Sequence, residues 1–129
     1  MIADDLVERV LRAVELVPPG RVVSYGDIAE LVGTGPRLVG RIMSQWGSSV
    51  AWWRVTNSSG ELPAHLLGEA ASRWADEGIT LKPSGRGCRI HAHRADLPAW
   101  ATAFEAVRPT PRTPPGRSPD ERTVPPRRR

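Results

Sequence analysis

Residues 17–45 read "VPPGRVVSYGDIAELVGTGPRLVGRIMSQ" and carry the start and stop signals of two short helices. Ser24 and Asp27 have the spacing of a capping box, in which each side chain accepts a hydrogen bond from the other residue's backbone N–H. Gly33 can supply the left-handed conformation in which many helices end. We therefore predict a short helix between Ser24 and Gly33.

A second helix is predicted only a few residues later. Pro36 suits the first position of a helix, and either Thr34 or Gly35 can cap it. The buried stripe of this helix is predicted to consist of Leu38, Val39, Ile42, Met43 and Trp46. Two helices joined by so short a turn indicate a helix-turn-helix.

The flanking segments complete a mainly α fold. A first helix is predicted where apolar residues recur at helical spacing, at Leu6, Val7, Val10, Leu11 and Val14. Further helical patterns occur near residues 66–78 and 95–107, the second as a short helix or turn, and a small hairpin is predicted at 79–90.

Between the helices, residues 50–63 read "VAWWRVTNSSGELP" and predict an extended segment with "NSSG" at the tip of a hairpin wing. Neighbouring side chains of an extended segment face opposite ways, so we expect Trp52 and Trp53 to point apart. The predicted fold is a winged helix-turn-helix domain with a small β wing over residues 1–107.

Residues 108–129 have a different composition. They contain seven arginines, two acids and seven prolines, whereas the first 107 residues hold eleven basic and twelve acidic side chains. The net charge of +4 therefore comes from this tail. We predict a disordered Pro/Arg-rich tail, serving either as a non-specific arm for phosphates or as a solubilising terminus.

The bulk composition narrows the class of protein. No run of residues reaches the roughly 18 uncharged apolar residues of a membrane span, and the N-terminus carries acids where a signal peptide would carry bases. Cys88 is the single cysteine, so no internal disulfide can form. We expect a soluble cytoplasmic protein without membrane contact.

The second helix of the pair has an unfavourable charge pattern. Arg37 lies in the first turn, where the helix dipole disfavours a cation, and Arg41 follows one turn later with the same charge. An anionic ligand would compensate both arginines, although a solvated arginine face remains an alternative.

Tyr25, the single tyrosine, is either buried with its hydroxyl satisfied or placed against a bound strand.

Several motifs in order resemble a known family. The segment quoted above, followed by "AWWRVTNSSG" at 51–60, is similar to the DNA-binding domain of the O6-alkylguanine-DNA alkyltransferases, and most similar to the non-enzymatic alkyltransferase-like proteins. The enzymes carry a proline-cysteine-histidine-arginine-valine motif, which here reads Ala51, Trp52, Trp53, Arg54 and Val55. An indole cannot act as the sulfur nucleophile, so the resemblance implies a protein that is not an enzyme.

The resemblance implies binding through the minor groove of duplex DNA and extrusion of an O6-alkylated guanine, which is then marked for nucleotide excision repair. Tyr25 and Arg37 would flip the nucleotide, while Trp52, Arg54 and Val55 would form the lesion pocket, with Trp53 as structural support. Direct contacts to DNA are expected from Ser24, Gly35, Pro36, Arg41 and Ser44. We expect a monomer that uses no cofactor and no metal, and that has excision-repair proteins as possible partners.

Some residues depart from the family pattern. Ala51 replaces the usual proline, Trp46 stands near an expected asparagine, and "ELPAHLL" at 61–67 lacks the glycine-rich segment, which leaves the far wall of the pocket unassigned. Two alternatives stay open: a winged-helix transcription regulator, and a residual alkyltransferase acting through Cys88. His91 and His93 alone are weak indications of a metal site.

Overall fold

The computed structural model describes residues 3–106, and the predictions for the tail at 108–129 lie outside this range. The chain is mainly helical, as predicted, with two strands of two residues each. The elements in chain order are α1 (Asp4–Glu15), β1 (Val23–Ser24), α2 (Tyr25–Val32), α3 (Pro36–Trp46), β2 (Val55–Thr56), α4 (Ala64–Glu77), α5 (Ile90–His93) and α6 (Leu97–Ala106). Two 3-10 turns, Gly47–Ser49 and Trp52–Arg54, lie between α3 and β2.

The predicted signals define the ends of α2 and α3. The Ser24 hydroxyl accepts a hydrogen bond from the Asp27 N–H at 3.0 Å, and the Asp27 carboxylate accepts one from the Ser24 N–H at 2.9 Å. Gly33 ends α2 at φ 84°, in the left-handed region. Gly35 is the N-cap of α3, and Pro36 occupies the first turn. The predicted helix-turn-helix is confirmed.

A first core cluster holds the helix-turn-helix against α1 and α6. Val10, Val14, Ile28, Val39 and Ile42 are fully buried within it. These residues come from α1, α2 and α3, whose apolar stripes pack together. Contacts with α1 and with each other therefore fix the positions of α2 and α3. Trp46, which the helical spacing also placed in the buried stripe of α3, is instead 40 % exposed.

The C-terminal helix α6 adds a specific contact to this cluster. The indole Nε1–H of Trp100 donates to the carbonyl of Ala13 in α1 at 2.9 Å, and Phe104 is buried one turn later. An indole satisfied in this way can be buried at little cost. The segment predicted as a short helix or turn is thus a helix that closes the core.

The prediction of a continuous extended segment through both indoles was wrong. Residues Trp52–Arg54 form a 3-10 turn, in which the Trp52 N–H donates to the carbonyl of Val50 at 2.7 Å and the Arg54 N–H donates to that of Ala51 at 3.0 Å. The two indoles do not point apart but meet nearly edge to face, with ring centroids 5.7 Å apart.

The strand that follows this turn pairs in parallel with β1, joining Val23 to Val55 and Ser24 to Thr56, rather than in the predicted hairpin. The "NSSG" segment does form a turn, because the Gly60 N–H donates to the carbonyl of Asn57 at 2.9 Å. Gly60 has φ 83°, in the left-handed region, and a Cβ at this position would clash with the carbonyl oxygen of Cys88.

The second half of the described chain packs around α4. A second core cluster consists of Val22, Leu62, Ala70, Trp74, Ile79, Cys88 and Ile90. The hairpin predicted at 79–90 is present, with an antiparallel bridge between Leu81 and Cys88. Helix α5 was not predicted.

No helix within residues 3–106 has the length and apolar character that a bilayer crossing requires.

Candidate functional site: a cavity beside the helix-turn-helix

A cavity of about 370 Å³ opens beside the helix-turn-helix, a volume within the range of small-molecule sites. It lies between α3, the start of α2, the turn that carries the indoles, and α4. Its wall is formed by Tyr25, Gly40, Met43, Ser44, Gly47, Ser48, Trp52, Val55, Leu62, Pro63, His65, Leu66 and Glu69. Most of these side chains are apolar or small, which suits a flat, largely apolar ligand.

Two of the three residues predicted for the lesion pocket line this cavity. Trp52 is half-buried and packs against both core clusters, and Val55 lies beneath it in β2. The placement of Arg54 in the pocket was wrong, because its guanidinium points away from the cavity. Arg54 donates instead to the carbonyl of Val17 at 3.1 Å and to the carboxylate of Glu77.

Tyr25 is the first residue of α2 and contributes its ring to the cavity wall. Burial raises the pKa of the Tyr25 hydroxyl above its ordinary value of 10.0. The hydroxyl therefore remains protonated at neutral pH and can both donate and accept a hydrogen bond.

Helix α3 presents its two arginines to solvent next to the cavity. Arg37 and Arg41 are exposed, and within residues 3–106 neither forms a salt bridge. Gly40 and Ser44 lie on the same helix and line the cavity. A Cβ at Gly40 would meet no protein atom within 4 Å, so the glycine leaves open space on this face of α3.

Three of the other residues predicted to contact DNA are exposed, and one is buried. Gly35 and Pro36 are exposed at the start of α3, and the Ser44 hydroxyl donates to the carbonyl of Arg41 at 3.2 Å on its exposed face. Ser24 does not fit its predicted role, because it is only 5 % exposed and its hydroxyl is engaged in the capping box. Its hydroxyl oxygen serves the helix end, and burial leaves little of the side chain for a phosphate to contact.

A carboxylate that the sequence did not indicate holds the indole turn in place. Glu77, the last residue of α4, accepts hydrogen bonds from the Trp53 Nε1–H at 2.9 Å, from Arg54 Nη2 at 2.6 Å and from the backbone N–H of Gly20 at 2.9 Å. Trp74 in the same helix donates its Nε1–H to the carbonyl of Trp53 at 2.7 Å. These contacts tie the turn that carries Trp52 to α4 and to the loop after α1.

The charge of Glu77 is stabilised by its surroundings. Burial would raise the pKa of its carboxyl, but hydrogen bonds from Arg54, Gly20 and Trp53 and the positive charge of Arg54 together lower the pKa below its ordinary value of 4.5. On the outer side, the guanidinium of Arg73 lies 4.6 Å from the centre of the Trp53 ring. Trp53 therefore acts as a fixed support and lies outside the cavity wall.

The sequence and the fold of this chain match a known family. The family model described as "6-O-methylguanine DNA methyltransferase, DNA binding domain" matches residues 5–79, which include the helix-turn-helix and the indole turn. This chain belongs to that family.

Relatives within the methyltransferase DNA-binding family include proteins named "DNA base-flipping protein". The one from Escherichia coli K12 is 33% identical over 91 residues, which cover 64% of this chain and 69% of that protein. The one from Vibrio parahaemolyticus is 29% identical over 89 residues and is covered over 89% of its length.

Solved structures of the family give the same fold. Atl1 from S. pombe, crystallised with damaged DNA containing O6-carboxymethylguanine, superposes with a TM-score of 0.59 at 29% identity, over 78% of this chain and 96% of Atl1. A second S. pombe structure with DNA gives a TM-score of 0.57.

Cys88 does not supply the nucleophile of a methyltransferase. It is fully buried in the second core cluster, and burial raises the pKa of its thiol from 9.0 to about 11. A thiol with this pKa carries almost no thiolate at neutral pH. The alternative of an alkyltransferase acting through Cys88 therefore has no support from this geometry.

Among the described residues, no three His, Cys, Asp or Glu side chains converge on a possible metal position.

Proposed function

We propose that this protein recognises O6-alkylated guanine in duplex DNA, extrudes the damaged base into the cavity lined by Trp52, and holds it there without chemical repair. The observation that carries the proposal is an indole-walled cavity of about 370 Å³ beside an exposed helix with two arginines. The names of the relatives and the DNA complexes of Atl1 support it.

The cavity suits an extruded base on physical grounds. Its wall is mostly apolar, and packing a base against an aromatic side chain stabilises the complex by about 1–3 kcal/mol. Extrusion costs a few kcal/mol and least for a base whose pairing is already damaged, which gives part of the selectivity.

Helix α3 would carry the DNA contacts. Arg37 and Arg41 have no carboxylate partners within residues 3–106, and an approaching phosphodiester backbone would compensate both charges. We assign Arg37 to the gap that the extruded base leaves in the stack, and Tyr25 to rotation of the nucleotide, because Tyr25 lies in the cavity wall. The helix would enter the minor groove, as the resemblance implies.

The protein would recognise and hold the lesion without any chemical reaction on it. The resemblance implies that Trp52 stands where the enzymes carry their nucleophilic cysteine, and Trp53 where they carry the activating histidine. An indole forms no thioether-like adduct with an alkyl group. The lesion would then be passed, by a protein acting as a monomer, to nucleotide excision repair.

Replacing Arg37 by alanine should weaken binding to a duplex containing O6-methylguanine about tenfold more than it weakens binding to the matched undamaged duplex. The reason is that an inserted side chain acts only where the base has left the stack, whereas a phosphate contact acts on both duplexes. Fluorescence anisotropy titrations of both duplexes measure this ratio. Arg41→Ala is the matched control and should reduce both affinities equally. A uniform loss with Arg37→Ala would show that Arg37 is only a phosphate contact.

A further inference from the structure

The wall of the cavity opposite α3 is formed by the first two turns of α4, a segment for which the family resemblance gave no assignment. His65, Leu66 and Glu69 contribute their side chains to it. His65 and Glu69 are four residues apart and therefore lie on the same face of the helix. Both are exposed, and the Glu69 carboxylate accepts a hydrogen bond from Arg73 through Oε2 at 3.4 Å.

The one acidic side chain that lines the cavity lies on the α4 side of its wall. The side opposite α4 includes Gly40 and Ser44 of α3 and Gly47 and Ser48 of the following 3-10 turn, which carry no charge. Among the lining residues, Glu69 is the one acidic side chain and no lysine or arginine is present. A ligand in the cavity therefore meets one negative charge.

Glu69 is paired with Arg73, which offsets part of its charge, but Glu69 is the member of the pair that lines the cavity. Arg73 lies 3.4 Å from the Glu69 carboxylate, and their side chains are 48% and 60% exposed. An exposed pair of this kind contributes little and is screened by water. Moreover, the Arg73 guanidinium sits over the outer face of Trp53 and does not line the cavity.

We propose that Glu69 makes this site select uncharged O6 adducts, and especially adducts with a hydrogen-bond donor, over anionic ones; the inference rests on the proposed function. A sphere of the cavity's volume has a radius of about 4.5 Å, so any charge on the bound base lies within about 9 Å of the wall. That distance is close to the screening length of about 8–10 Å at physiological salt. At that separation screening has already reduced the interaction to about a third, so the repulsion is strongest for an adduct that lies against α4.

The test compares two adducts of the same shape. O6-carboxymethylguanine is anionic, and O6-carbamoylmethylguanine replaces one carboxylate oxygen with an amide NH2. The wild-type protein should bind a duplex with the carbamoylmethyl adduct about threefold to tenfold more tightly than one with the carboxymethyl adduct. Glu69→Gln should bring this ratio close to one. Glu105→Gln removes one exposed carboxylate on α6, outside the cavity, and should leave the ratio unchanged.

A duplex carrying O6-methylguanine separates the inference from the function on which it rests. If the methyl adduct binds tightly but the two larger adducts bind equally in the wild type, the inference fails and the proposed function stands. An equal change of the ratio with Glu69→Gln and Glu105→Gln would also overturn the inference, because the effect would then be one of net charge. If no adduct binds more tightly than guanine, both fail.

Discussion

Replacing Trp52 by alanine should lower the affinity for duplex DNA carrying O6-methylguanine by about 5- to 150-fold, since packing of a base against an indole is worth about 1–3 kcal/mol. The affinity for the undamaged duplex should change less than twofold, because Arg37 and Arg41 on α3 retain their phosphate contacts. Parallel titrations of the two duplexes give both values.

Trp52→Phe is the conservative control for this prediction. Phenylalanine keeps an aromatic face in the cavity wall, so lesion affinity should fall by less than about fivefold. Trp52 also packs against both core clusters, and circular dichroism at the titration temperature checks that each variant is folded. If Trp52→Ala binds the lesion as selectively as the wild type, the indole does not receive the base.

Replacing Glu77 by alanine should destabilise the fold by about 3 kcal/mol. The change leaves the Arg54 guanidinium, whose side chain is only 15 % exposed, without its carboxylate, and it removes the acceptor of the Trp53 and Gly20 N–H groups. Urea denaturation followed by tryptophan fluorescence measures the free energy of unfolding. Lesion affinity should fall as well, because the turn carrying Trp52 loses its support.

Glu69→Ala is the matched control, since it also removes a glutamate–arginine pair from α4. That pair is exposed, so the free energy of unfolding should change by less than about 0.5 kcal/mol. The pH dependence adds an independent readout. Because the pKa of Glu77 is lowered in the folded state, its contribution is complete above pH 4.5 and is lost as the pH falls through the folded-state value. A Glu77→Ala protein that is as stable as the Glu69→Ala protein would contradict this role.

The elements that could be predicted from the sequence are those with local causes. The capping box of Ser24 and Asp27, the left-handed Gly33 and the proline at position 36 each act within a few residues, and together they place α2 and α3. Trp52 could be placed in a pocket only through the family motif, because no local pattern indicates a cavity between α3 and α4.

The features that the sequence did not reveal depend on tertiary contacts. Glu77 follows Trp53 by 24 residues, and its role arises only when α4 packs against the indole turn. The same packing draws Arg54 away from the cavity and replaces the predicted strand with a 3-10 turn. Ser24 was assigned to DNA although its hydroxyl serves the helix cap, a competing use that the capping-box spacing itself indicates.

The measurement that tests the central claim most directly is a titration of two duplexes that differ only in one O6-methyl group, with mass spectrometry of the protein recovered from each. The account predicts much tighter binding of the methylated duplex, together with an unchanged protein mass and an intact lesion. Equal affinities for the two duplexes, or a protein heavier by one methyl group, would contradict it.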